Sequence, residues 1–191
     1  MKKYLICSLM AVAAVACTSV SDKTTLQGKF SGADVPEEIS IVIPDVIDTT
    51  VVLKNAAFKI EIPVEKASLG HIVAGHARGS FISDGTALTV SLADGALEIK
   101  SAKPAVSLTE KLNSFDSEAQ AMVAEYRTGM AAIADSTGLS ADQIDSLQEE
   151  FYNTFFEKFK KLNNDVIDAN KDNILSLYAL QNVYSEMSDD T

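Results

Sequence analysis

Two histidines, two cysteines and 27 acidic residues are among the groups in this 191-residue chain that could bind a metal, move protons or attack a substrate. His71 and His76 are five apart. On a strand that odd spacing sends them to opposite faces unless a turn at Gly75 folds them together, and neither His-x-x-x-His nor His-Glu-x-x-His is present, so no metal site is expected. Nucleophilic catalysis lacks a Gly-x-Ser-x-Gly elbow and a Ser-x-x-Lys, and Gly79-Ser80-Phe81 reads as the start of a strand. The paired carboxylates Glu149-Glu150 and Asp189-Asp190 fall on expected exposed helix or tail positions, where burial does not split their pKa values into acid and base roles. Gly70, Gly75 and Gly79 fit neither phosphate-binding glycine pattern. Cys7 and Cys17 leave the body of the chain without a thiol, which excludes a disulfide framework, a CxxC centre and a cysteine zinc site there. The expectation is a protein with no catalytic residue, no metal and no cofactor.

Charge excludes a further class. With 16 Lys+Arg against 27 Asp+Glu, a net charge of -11 and a pI near 4.5, the surface repels phosphate backbones, so nucleic acid is not an expected partner. A hydrophobic content of 47% excludes disorder and allows a packed core.

The N-terminus reads as an export signal. Met1-Lys2-Lys3 precedes an apolar stretch from Tyr4 to Ala16 that is too short to span a bilayer. Its end, Ala14-Val15-Ala16-Cys17, resembles the lipobox of bacterial lipoproteins, which implies cleavage before Cys17 and a lipid on that cysteine. Residues 1–16 are then a lipoprotein signal peptide, and residues 17–23 a small polar tether to a membrane.

Composition changes at Pro104. All four prolines and seven of the nine glycines lie at or before it. In residues 24–103, short β-branched runs alternate with turn residues: 24–30, 39–43, 50–54, 57–63, 69–74, 80–83, 87–92 and 96–100. Phe58, Ile60 and Ile62 alternate with Lys59 and Glu61, which buries one face and wets the other. Lys54-Asn55-Ala56 makes a tight link, and Asp84-Gly85 and Asp94-Gly95 read as hairpin-type turns. Strands this short and closely spaced predict an antiparallel β-sandwich or barrel.

Residues 104–191 switch to a helical period. Ser107-Leu108-Thr109-Glu110 reads as a capping box opening a helix with Leu112, Phe115, Ala119, Met122, Tyr126, Met130 and Ile133 on one face. After Gly138, Ser140 to Gln143 caps a second helix striped by Ile144, Leu147, Phe151, Phe155, Phe159, Leu162 and Val166. A third starts after Asp172 and uses Leu175, Tyr178, Val183 and Met187. The fold class is therefore α+β, a sandwich-like domain followed by about three helices. This segment carries 16 acidic and 6 basic residues, mostly between the apolar stripes. The aromatic run Phe151, Tyr152, Phe155, Phe156 and Phe159 covers more than a narrow stripe, so it either packs inward or docks a protein partner.

Ile47-Asp48-Thr49-Thr50-Val51-Val52-Leu53-Lys54-Asn55-Ala56-Ala57-Phe58-Lys59-Ile60 resembles the hairpin of the DUF4369 domain, found in lipoproteins of the Bacteroidetes group. Phe81 to Leu92 and Ser107 to Phe115 are similar to that family's later strand pair and following helix, and the resemblance covers roughly residues 24 to 120. Where the family usually has a glycine before the aromatic residue, this chain has Asn55-Ala56-Ala57. In many relatives a helical linker, which Asn173 to Leu180 resembles, leads to a thioredoxin-like domain of the TlpA/ResA type. That domain's Trp-Cys-x-x-Cys has no counterpart in these 191 residues, so thiol exchange is not carried over.

Asp48-Thr49-Thr50, Asp135-Ser136-Thr137 and Asp145-Ser146-Leu147 resemble the O-glycosylation sequon of such envelope proteins, making Thr49, Ser136 and Ser146 candidate acceptors. The resemblances together imply a protein of the cell envelope, held through Cys17 to a membrane, the outer one by expectation, with its body on the periplasmic or surface side. Its expected role is noncatalytic binding or scaffolding. The alternative is the truncated or accessory N-terminal part of a thiol-disulfide oxidoreductase whose thioredoxin-like domain would sit against the helices; a metal- or glycan-binding receptor is a third.

Overall fold

The computed structural model describes residues 21–31, 35–93 and 95–187. Eight strands precede three helices: β1 (Lys23–Lys29), β2 (Glu38–Ile43), β3 (Ile47–Val52), β4 (Ala57–Pro63), β5 (Ser68–Ala74), β6 (Ala77–Ser83), β7 (Leu88–Ala93), β8 (Ala96–Ser101), α1 (Leu108–Ala134), α2 (Ala141–Ala169) and α3 (Ile174–Met187). The class is α+β, as the periodicity predicts.

Two four-stranded sheets face each other, in the orders β4-β1-β7-β8 and β3-β2-β5-β6. Alternation builds the core between them. Leu26, Ile39, Ile41, Ile43, Ile62, Ile72, Phe81, Leu88 and Val90 are all 1% exposed or less, while Gln27, Lys59, Glu61 and His71 point outward. One pair departs from the antiparallel expectation: β1 and β7 run parallel, with Leu26 opposite Leu88 and Gly28 opposite Val90. The chain between them makes the whole second sheet and, on the way, β4 of the first, and a parallel pair needs a long crossover of that kind.

Of the two Asp-Gly turns expected to close hairpins, one does so at its glycine and the other does not. Gly95, at φ 77°, closes the β7–β8 hairpin. Asp84-Gly85 forms no hairpin, because β6 and β7 belong to different sheets and the segment carries the chain across the sandwich. Lys54 to Ala57 is a tight turn closed in both directions by Lys54 and Ala57 backbone bonds, with Asn55 at φ 54° and Ala56 at φ 59°. Asparagine tolerates the left-handed region, whereas alanine is strained there. Ala56→Gly is therefore expected to raise stability by about 0.5–1 kcal/mol, the strain relief exceeding the entropy cost of glycine. A fall in the urea midpoint would contradict this.

The helices dock through a second apolar cluster. Ile82 on the outer face of β6 meets Leu112 and Leu175, with Leu69, Leu108, Val166, Ile174 and Tyr178 around them. Ser107 is the N-cap of α1, but its side chain makes no cap bond. The predicted capping box is replaced by tertiary partners: the Leu108 amide donates to Asp84 Oδ2 at 2.7 Å, and Glu110 accepts from the Ser101 amide. The box predicted at Ser140 and Gln143 forms, with the Ser140 amide donating to Gln143 Oε1 at 2.9 Å and the Gln143 amide donating to Ser140 Oγ at 3.3 Å.

Candidate functional site

The first helical turns fix everything beyond them. β6 and β8 are the outermost strands of their sheets, and α1 lies across both. Thr109 is fully buried there. Its hydroxyl accepts from the Ile82 amide and donates to the Ile82 carbonyl, both at 3.0 Å, which occupies edge groups that a neighbouring strand would otherwise take. Asn113 Nδ2 donates to the Ile99 carbonyl of β8 at 2.7 Å.

Beyond this clasp, the outer face of β5 and β6 stays uncovered and forms the floor of a cleft of about 810 Å³ walled by α1. Cross-strand register places His71 beside Ser80 and Val73 beside Arg78, and α1 adds Asn113, Asp116, Ser117 and Gln120. His71 Nδ1 and Ser80 Oγ are 3.2 Å apart, but the nearby carboxylate is engaged elsewhere: Tyr178 donates its hydroxyl to Asp116 Oδ1 at 3.0 Å. Among the described residues His71 donates no hydrogen bond to an Asp or Glu, so the pair as arranged here has no orienting acid of the nucleophilic-triad kind. Arg78 makes no ion pair among the described residues.

Burial raises the Asp116 carboxyl above its usual range, partly offset by the Tyr178 bond. Tyr178 is pushed up to about 12, by burial first and then by the Asp116 charge and hydrogen bond. The unfolded phenol ionises near 10, so the folded state binds the proton more tightly, and stability is lost as pH rises from 10 to about 12. Asp116→Asn is expected to lower the Tyr178 pKa by removing the adjacent negative charge. Alkaline titration of phenolate absorbance, with Tyr178→Phe as reference, checks this, and an unmoved curve would refute the pairing.

The second feature is an arm. After Phe115 no residue of α1 is buried, and in α2 only Asn163 is. The two helices pair along an aromatic ladder: Tyr126 stacks on Phe151 at 5.9 Å and Phe155 at 4.5 Å, Phe155 on Phe159 at 5.6 Å, and Tyr152 on Phe156 at 6.1 Å. At Gly129 an added Cβ would sit 2.2 Å from the Phe151 ring, so a glycine lets that ring lie against α1. A two-helix hairpin covers only part of such a stripe. Phe151, Phe155 and Phe156 remain half-buried, and Tyr152 is 42% exposed.

His71 and His76 are not brought to a common site, since His71 is on β5 and His76 in the turn after it. Among the described residues no group of three His, Cys, Asp or Glu is arranged around a metal position, and no helix is long and apolar enough to cross a membrane. Cys17 and the pair Asp189-Asp190 lie outside the described residues, and Glu149-Glu150 is exposed on α2. Thr49 is half-buried on β3. The Ser136 hydroxyl donates to the Ala132 carbonyl, and the Ser146 hydroxyl on exposed α2 donates to the Asp142 carbonyl. Arg78 and the Asp116–Tyr178 pair escaped the sequence reading. Tyr178 stood on the third helical stripe, but nothing local links it to a carboxylate 62 positions earlier.

No family model matches the chain, and no curated protein or solved structure shows significant similarity to it.

Proposed function

We propose that the chain is a lipid-anchored protein of the cell envelope, attached through Cys17, in which the β-sandwich holds out the α1–α2 arm as a noncatalytic docking module. The arm carries this reading. At 1.5 Å per residue, α1 extends about 30 Å past its last buried side chain, Phe115, and an aromatic ladder left half-open over that length offers a partner surface. The lipobox-like residues before Cys17 and the DUF4369-like segment support the envelope placement. A surface this acidic has little attraction of its own for anionic lipid, so membrane attachment rests on the lipid.

A photo-crosslinking residue at Tyr152, in the full chain in native membranes, is expected to give discrete protein adducts. The same residue at Val52, 65% exposed on β3, is expected to give none. Cys17→Ser is expected to move the protein out of the membrane fraction or leave it unprocessed. Equal labelling at both positions, or at neither, would overturn the docking role, and unchanged processing and membrane attachment of the Cys17 variant would overturn the anchor.

A further inference from the structure

We infer that the occupant of the arm is a second copy of this chain, paired through α2 in antiparallel fashion; this rests on the docking role proposed above. The observation is a self-complementary stripe. Glu149, Tyr152, Phe156 and Lys160 follow one another at spacings of three, four and four residues, which places them within about 80° of one another on the helix. Read from either end, the order is charge, aromatic ring, aromatic ring, opposite charge.

A two-fold axis near Thr154 sets Tyr152 against the partner's Phe156, and Phe156 against the partner's Tyr152. The same axis sets Glu149 level with the partner's residue 159, one residue or about 1.5 Å from the partner's Lys160, an offset that the two long side chains span, and the reverse pair follows by symmetry. A two-fold interface requires this reciprocity, because each patch must complement itself. Two hairpins joined this way make a four-helix bundle, which covers apolar stripes that one hairpin leaves half-open.

Both charges are free to serve. Glu149 and Lys160 are exposed and make no ion pair among the described residues, whereas neighbouring Lys161 pairs with Asp165. A membrane surface fits the stripe less well, since Asp142, Asp145, Glu149 and Glu150 make the tip half of α2 acidic. A foreign helix would not require the stripe to match itself in reverse.

The test uses full-length chains carrying two different tags, co-expressed and purified through one of them. Wild-type copies are expected to co-purify. Glu149→Lys alone and Lys160→Glu alone each place like charges together twice per dimer, and self-association is expected to weaken about tenfold in each. Co-expressing the Glu149→Lys chain with the Lys160→Glu chain restores both attractions, so that mixed pair is expected to recover wild-type co-purification. These surface changes leave the hairpin's own packing intact; Phe156→Asp adds a variant expected to abolish pairing in every combination. Monomeric wild-type protein, or a mixed pair no stronger than either variant alone, would overturn the self-pairing. If Tyr152 then cross-links only to a different protein, self-pairing fails and the docking role stands. If it cross-links to nothing, both fail.

Discussion

Thr109→Val should cost about 3 kcal/mol, because it leaves the Ile82 amide and carbonyl buried without partners while changing the shape of the side chain very little. Valine and threonine are nearly isosteric, so packing cannot supply the loss. For a chain of this length the midpoint of thermal unfolding is expected to fall by roughly 10 °C. Thr109→Ser keeps both bonds and should cost far less. Thr128→Val supplies the control: its hydroxyl donates to the Ala124 carbonyl on an exposed part of the same helix, and its removal should be close to neutral. If the two valine variants melt alike, Thr109 does not hold the edge strand.

Gly28→Ala is the second substitution with a large expected effect. Gly28 sits in β1 between Phe58 on β4 and Val90 on β7. A Cβ there would lie 2.6 Å from the Val90 carbonyl oxygen and 2.7 Å from Cε1 of Phe58. The oxygen belongs to the sheet backbone and cannot swing aside, so β1 and β7 would have to separate at the Gly28–Val90 end of their ladder. Overpacking of this kind typically costs 1–3 kcal/mol, and the upper end, about 3 kcal/mol, is expected because backbone is one of the two obstacles. The reduced entropy of the unfolded alanine chain offsets less than about 1 kcal/mol of that. Gln27→Ala, next along the strand but outward, should leave the melting midpoint within about 2 °C of wild type. A Gly28→Ala midpoint equally unmoved would show that the close approach is absent.

The strands were legible because half-buried sheet writes its period into the chain: Ala57–Pro63 alternates residue by residue, and the expected and observed limits coincide. Which strands share a sheet was not legible. The parallel β1–β7 pair and the crossing at Asp84-Gly85 depend on how the second sheet folds over the first, and no local pattern encodes that. The start of α1 shows the same limit from the polar side. Ser107 and Glu110 have the spacing of a capping box, yet Asp84, 24 positions earlier, takes the Leu108 amide, and Glu110 turns to Ser101. A partner brought by the fold displaced the partner offered by the chain. At Ser140, on the exposed tip of the arm, no tertiary group among the described residues competes, and the capping box forms. The cleft was invisible for a related reason: His71, Arg78 and Ser80 look like ordinary outward strand residues until α1 is laid beside them.

The clasp of Thr109 and Asn113 on β6 and β8 also has a bearing on the order of synthesis. A ribosome releases all eight strands before it releases the residues that seal the two sheet edges. Until about residue 115 has emerged, the nascent sandwich exposes two unpaired edges side by side, the condition under which strands recruit strands from neighbouring chains. The composition break at Pro104 is therefore not a place where the chain can be cut. A fragment ending there would carry every strand and still lack the side chains that keep those strands to themselves.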